Sequence, residues 1–157
     1  NGLSNRMKKL FLLRHGEAAL TRPDWDRKLT STGIQDLERV LAGVPDSPDI
    51  ILASPYLRTR QTAEIAQRLW NVTQEVVITQ ALLPDSTPES LWDEARTLGQ
   101  ESVLVVTHQP LISQAAAWIL GESSTYAFTP GTLCAIAIST SGVRPTAKLE
   151  WVRTPDL

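Results

Sequence analysis

The 157-residue chain carries 15 Lys and Arg against 17 Asp and Glu, a formal charge of -2, so it has no global basic field to collect nucleic acid or an anionic membrane. Its length suits one domain with a proper core, which buries roughly 68–70% of the unfolded chain's surface; residues 1–157 are expected to form it, with 1–7 a flexible or cloning-derived tail. A single cysteine, Cys134, excludes an intrachain disulfide and a thiolate metal cluster, and with neither a ~20-residue apolar span nor a signal-peptide core the expected location is cytoplasmic.

Lys9-Leu10-Phe11-Leu12-Leu13 is a short apolar run closed by Arg14-His15-Gly16, the pattern of a buried strand ending in a loop. Pro23 to Lys28 follows as a charged connector whose Trp25 either covers a site or packs on the surface. Thr32 and Gln35 have capping-box spacing, and Ile34, Leu37, Val40 and Leu41 form one apolar stripe. This predicts a helix over 33–43, ended by Gly43 and Pro45. Residues 49–53 read as a second buried strand. Ser54 is placed to cap the next helix and Pro55 to open it; that helix should reach about Trp70 with Ala63, Ile65, Ala66 and Leu69 inward.

A third strand is expected at 76–79. Thr87-Pro88-Glu89 then supplies a cap, an N1 proline and an acidic first-turn residue for a helix to about Leu98. The β-branched run 103–107 is the clearest strand and stops at His108-Gln109-Pro110. A helix over 111–120 ends at Gly121, and strands at 133–138 and 147–151 close the chain around a Ser141-Gly142 turn. Cys134 sits among apolar neighbours in the first of these and reads as a buried strand position. Strands alternating with helices argue for an α/β three-layer sandwich, a mostly parallel central sheet with helices on both faces and ligands near the carboxyl ends of its strands.

Three predicted strand ends deliver polar groups: Arg14 and His15 after the first, Ser54 to Arg58 after the second, His108 after the fourth. Side by side, these strands would bring two imidazoles and two guanidinium groups to one pocket. Arginine offers a charged fork of donors that matches phosphate oxygens, and a neutral imidazole can attack phosphorus. The two arginines and a protonated or donating His108 would stabilise the charge on the transferring group. A histidine after a strand is more often a satisfied surface or core residue, so periodicity alone leaves both readings standing. A zinc site lacks clustered ligands and a His-Glu-x-x-His helix. No phosphate-binding Gly-rich motif occurs, and the five tryptophans are scattered without basic stripes, which argues against nucleotide and nucleic-acid binding.

Four ordered motifs resemble those of the histidine phosphatase (phosphoglycerate-mutase-like) superfamily. They are Arg14-His15-Gly16-Glu17, Leu29-Thr30-Ser31-Thr32-Gly33, Ser54-Pro55-Tyr56-Leu57-Arg58-Thr59-Arg60-Gln61-Thr62 and Val105-Val106-Thr107-His108-Gln109-Pro110. The resemblance implies a single histidine phosphatase domain of phosphoglycerate-mutase-like fold, without metal or cofactor. It also implies a two-step reaction in which His15 takes the phosphoryl group and water removes it. Arg14, Arg58 and His108 would form the phosphate pocket, with Gly16, Glu17 and Ser54 in support. A backbone carbonyl is expected on the second ring nitrogen of His15.

Many members of the superfamily carry a glutamate general acid on a long insertion. Here the corresponding stretch, 82–88, is short, and Asp85 is the only nearby candidate. That departure resembles the short bacterial phosphohistidine phosphatases of the superfamily. An imidazole leaving group, with a reference pKa of about 6.5, needs less help from an acid than an alkoxide does. The expected substrate and partner is therefore a phosphohistidine protein, with neither nucleic acid nor membrane; the motifs carry no information on oligomeric state. The alternatives are a small-molecule or sugar phosphate monoesterase using Asp85, and a catalytically idle protein-binding module, which would require a broken constellation.

Overall fold

The computed structural model describes residues 6–123 and 126–156. In chain order its elements are β1 (Lys9–Arg14), α1 (Ser31–Leu41), β2 (Ile50–Ala53), α2 (Leu57–Leu69), β3 (Val77–Ile78), α3 (Pro88–Arg96), β4 (Ser102–Thr107), α4 (Leu111–Leu120), β5 (Leu133–Thr140) and β6 (Thr146–Arg153). Short 3-10 turns lie at Asp24–Asp26 and Gln80–Leu82.

The strands form one sheet in the order β3-β2-β4-β1-β5-β6. The first four are parallel; β5 runs antiparallel to β1, and β6 antiparallel to β5. Successive side chains of a strand point to opposite faces, so each central strand feeds two cores. Leu10, Leu12, Leu52, Val103 and Val105 pack with Leu91, Trp92, Leu111 and Ala115 of α3 and α4. Phe11, Leu13, Ile51, Leu104 and Val106 pack on the other face with Leu37 and Leu41 of α1 and Ala63 and Ala66 of α2. The result is the expected three-layer α/β sandwich.

The chain travels outward from β1 to β3 with α1 and α2 on one face, and α3 returns it over the other to insert β4 between β2 and β1. Reversing direction while changing face keeps these crossovers of one hand. The inserted strand positions the site. Arg14 pairs with Thr107, and Ala53 with Val106, so residues 15, 54 and 108 leave the sheet together at the carboxyl ends of three adjacent strands, where open α/β sheets bind ligands.

Several local expectations are corrected. Met7 belongs to the core, only 3% exposed, so it is not part of a flexible tail; residues 1–5 of the expected 1–7 tail lie outside the described residues. Helix α1 starts at Ser31, capped by Thr30, whose hydroxyl accepts from the Gly33 N–H. Thr32 does not cap it. Helix α2 starts at Leu57 with Tyr56 at the cap position and no side-chain cap; Ser54 lies ahead of the helix, where its hydroxyl still accepts from the Tyr56 N–H at 3.4 Å. Ile34 and Leu69 are partly solvent-exposed, both 37%, while Leu37, Val40 and Leu41 keep the inner stripe of α1. Thr87 caps α3 as expected, with Pro88 opening it. Cys134 is buried, which pushes its thiol up to about 12. Among the described residues no helix is long and apolar enough to cross a membrane.

Candidate active site

The loop after β1 is held by α1 and α2 before any chemistry begins. The Gly16 N–H donates to Thr62 Oγ1 (3.1 Å), and Thr62 Oγ1 donates to the Arg58 carbonyl (2.7 Å). The Leu29 N–H donates to Gln61 Oε1 (2.8 Å). Thr30 donates its N–H to the Glu17 carbonyl (3.0 Å) and its hydroxyl to Glu17 Oε1 (2.6 Å). Gly33 makes this close approach possible: a Cβ there would lie 2.3 Å from the Glu17 carbonyl oxygen. Gly33→Ala must push the 16–18 segment away from α1. The expected result in thermal unfolding is a loss of about 1–3 kcal/mol, in the range of other overpacked interiors, together with reduced activity because the displaced segment carries His15.

On this frame His15 is 5% exposed. Its Nδ1 lies 2.8 Å from the Gly16 carbonyl oxygen, and Arg58 Nε donates to its Nε2 at 3.3 Å. A carbonyl can only accept, so Nδ1 carries the proton and Nε2 keeps its lone pair. Arg14 Nη1 donates to the Phe128 carbonyl (2.7 Å), while its Nε is buried without a partner, leaving an N–H to offer an oxyanion. Arg58 donates through Nη1 to the Asp24 carbonyl at 2.7 Å. The ring of His108 lies 5.3 Å from that of His15 and 4.8 Å, edge-on, from Tyr56. These side chains open on a cavity of about 540 Å³ lined by Arg14, His15, Glu17, Arg27, Arg58 and His108, among others.

Three guanidinium groups therefore surround the cavity, and among the described residues Glu17 is the only carboxylate lining it. A site this cationic attracts anions and repels metal ions. Burial pulls the pKa of Arg14 and Arg58 down, and the charges of Arg58 and Arg27 lower that of Arg14 further; guanidinium stays charged regardless. Burial pushes both imidazoles down to about 3. For His15 the bond to the Gly16 carbonyl works in the opposite direction and the charge of Arg58 adds to the fall; for His108 the neighbouring His15 and Arg58 add to it. Both are neutral at pH 7.

These shifts fix a pH dependence of stability. An unfolded histidine titrates near 6.5, so between about pH 6.5 and pH 3 the unfolded chain binds more protons than the native one. Stability from the two histidines is complete above about pH 6.5 and is lost as pH falls towards 3, with a slope of up to about 1.4 kcal/mol per pH unit for each. Thermal unfolding is expected to show a falling Tm from pH 7 to pH 4, and a shallower fall when His15 and His108 are both replaced by Asn.

The structure brings Arg14, His15, Arg58 and His108 together, with Gly16, Glu17 and Ser54 around them. Asp85 it does not: that residue is exposed in the turn before α3 and is not among those lining the cavity. Arg27 is the functional candidate that the sequence does not signal. It lies in an aperiodic, highly charged connector, yet its guanidinium folds back to donate to the carbonyls of Ala19 (2.7 Å) and Ala18 (3.4 Å). It also pairs with Asp24 at 3.1 Å. Trp25, in the same turn, remains 59% exposed.

Residues 10–83 match the family described as histidine phosphatase superfamily (branch 1). The chain is 29% identical over 158 aligned positions to phosphohistidine phosphatase SixA of Escherichia coli (strain K12), covering 94% of each protein. It is 29% identical over 138 positions to a phosphohistidine phosphatase SixA homolog of Haemophilus influenzae (strain ATCC 51907 / DSM 11121 / KW20 / Rd), covering 79% of this chain and 84% of that protein. Its fold matches the solved structure of the protein histidine phosphatase SixA complexed with tungstate with a TM-score of 0.86 and 26% identity, covering 94% of this chain and 97% of that one.

Proposed function

The chain belongs to the histidine phosphatase superfamily, and from that membership we propose that it is a metal-independent phosphohistidine phosphatase that dephosphorylates a protein through a covalent phosphohistidine at its own His15. The observation that carries this reading is the state of His15, a neutral imidazole with Nδ1 held by the Gly16 carbonyl and Nε2 unprotonated in a cavity with three guanidinium groups. The tungstate bound by the related SixA is a tetrahedral oxyanion of the kind such a cavity suits.

Proton balance favours phosphohistidine over an ester. A phosphohistidine protonated on its other ring nitrogen leaves phosphorus as neutral imidazole when His15 Nε2 attacks: the N–P bond to the substrate breaks as the bond to Nε2 forms. His15 keeps its Nδ1 proton against Gly16, so the enzyme intermediate stands in the same protonation state and can itself leave as neutral imidazole when water attacks. Arg14, Arg58 and Arg27 balance the phosphoryl oxygens throughout. An alkoxide leaving group would instead need an acid, and Glu17, the one carboxylate lining the cavity among the described residues, accepts a bond from Thr30 while Asp85 lies outside the lining. The full set of Arg14, His15, Arg58 and His108 also speaks for an active enzyme over an idle binding module.

A panel of phosphohistidine protein, phosphotyrosine peptide, sugar phosphates and phosphoglycerates tests the substrate class. Phosphohistidine protein is expected to be preferred, and Asp85→Asn to change its turnover by less than about 2-fold. A loss of about 100-fold, the low end of general-acid contributions, or a preference for sugar phosphates, would favour the ester reading.

A further inference from the structure

The segment that follows the His15 loop carries two apolar side chains that the fold leaves in water. Leu20 is 94% exposed and Trp25 59%, two of the three most exposed large apolar residues among the described ones. Leu20 lines the cavity shared by Arg14, His15 and Arg58. Trp25 follows Asp24, whose carbonyl accepts from Arg58 Nη1 at 2.7 Å, so it stands one residue from a group fixed to the cavity wall. The charged connector thus puts its tryptophan beside the cavity without packing it down and without making it part of the lining.

The segment is tied down along its length. Ala18 is bridged to Leu29, and the Ala19 N–H donates to the Lys28 carbonyl at 2.8 Å. Arg27 Nε donates back to the Ala19 carbonyl at 2.7 Å and its Nη1 to Asp24 Oδ1 at 3.1 Å, while the Asp26 N–H donates to the Pro23 carbonyl at 3.0 Å. A loose loop would be free to fold Leu20 and Trp25 inward; this one is held with both outside. An apolar pair displayed on a preordered support suits a protein contact, because burying it is favourable and little ordering entropy opposes the binding.

We propose that Leu20 and Trp25 form the contact surface for the phosphohistidine protein itself, recognising apolar side chains that flank its phosphorylated histidine; this rests on the phosphatase reading above and names how the partner is recognised. His15 is only 5% exposed, so a phosphoryl group must enter the cavity to reach it. A histidine side chain is short, and a protein whose phosphohistidine reaches His15 brings its main chain and neighbouring side chains against the cavity rim. Leu20 belongs to that rim and Trp25 stands beside it. The guanidinium groups hold phosphoryl oxygens that any phosphate ester also offers, whereas the apolar pair responds to what surrounds the histidine. Free phosphohistidine and sugar phosphates are too small to cover it.

The test compares free phosphohistidine with two chemically phosphorylated peptides of one sequence frame, whose single histidine is flanked by leucines in one and by serines in the other. The wild-type protein should favour the leucine peptide over the serine peptide by at least about 10-fold in kcat/KM, the difference lying in KM, as for a contact that ground state and transition state share. Trp25→Ala and Leu20→Ser should each remove most of that preference, and the double variant should bring the two peptides within about 2-fold of each other. Trp25→Phe, which keeps an apolar ring, should retain the preference. A wild type that does not distinguish the peptides overturns the proposal, as do Ala and Ser variants that keep the preference or lose turnover of all three substrates alike. Turnover of none of the three by the wild type would instead sink the phosphatase reading.

Discussion

His15→Ala is expected to abolish turnover of phosphohistidine protein, by at least about 10⁴-fold, because under the proposed mechanism it removes the atom that forms the new bond to phosphorus and not merely a contact to it. The substitution should leave the fold intact: β1 is fixed by its pairing with β4 and β5, and the following loop by Thr62, Gln61 and Thr30. Binding of phosphate or tungstate should survive in weakened form, since Arg14, Arg27 and Arg58 remain. A retained turnover within about 10-fold of wild type would mean that water attacks the substrate directly.

Arg58→Ala should be the next most damaging change, lowering kcat/KM by about 10²–10³-fold, the usual cost of one preorganised donor to a developing oxyanion. Arg58 acts at two levels. Its Nε donates to His15 Nε2, the proposed nucleophile, and its Nη1 and Nη2 tie down the carbonyl and the carboxylate of Asp24 at 2.7 and 3.4 Å. Desolvation of the Asp24 carboxyl acts against it, yet bonds from Arg27 and the charge of Arg58 hold the group below the usual range. Arg58→Lys should recover only part of the loss: an ammonium restores charge but cannot reach His15, phosphate and Asp24 with one planar fork. Steady-state kinetics of the two variants against the wild type separate these effects.

The strands and most helices were legible because apolar runs and stripes report burial directly. Leu10 to Leu13 and Val103 to Val106 are continuous apolar runs since both faces of their strands are covered. The convergence of Arg14, His15, Arg58 and His108 needed one more fact, that β4 inserts between β1 and β2. Strand order depends on long-range pairing, which no local pattern encodes.

The remaining errors have tertiary causes. Thr30 and Thr32 are equally good caps by composition; Thr30 prevails because it also bonds Glu17 and because Gly33 leaves room for the Glu17 backbone. Ser54 keeps only a long 3.4 Å bond from the Tyr56 N–H ahead of the helix, while His108 and Thr59 hold its hydroxyl at 2.6 Å. Arg27 reaches the cavity only because the 18–28 segment folds back, with Ala18 bridged to Leu29. In each case a polar side chain gains more from a partner distant in sequence than from the local motif it fits.

The central claim is the covalent intermediate. Brief exposure of the protein to a phosphohistidine protein, followed by alkaline quench and peptide mass spectrometry, should place an acid-labile, base-stable phosphoryl group on His15, formed and discharged at least as fast as steady-state turnover. Full turnover with no phosphate on His15, or with a label that discharges more slowly than turnover, would contradict it.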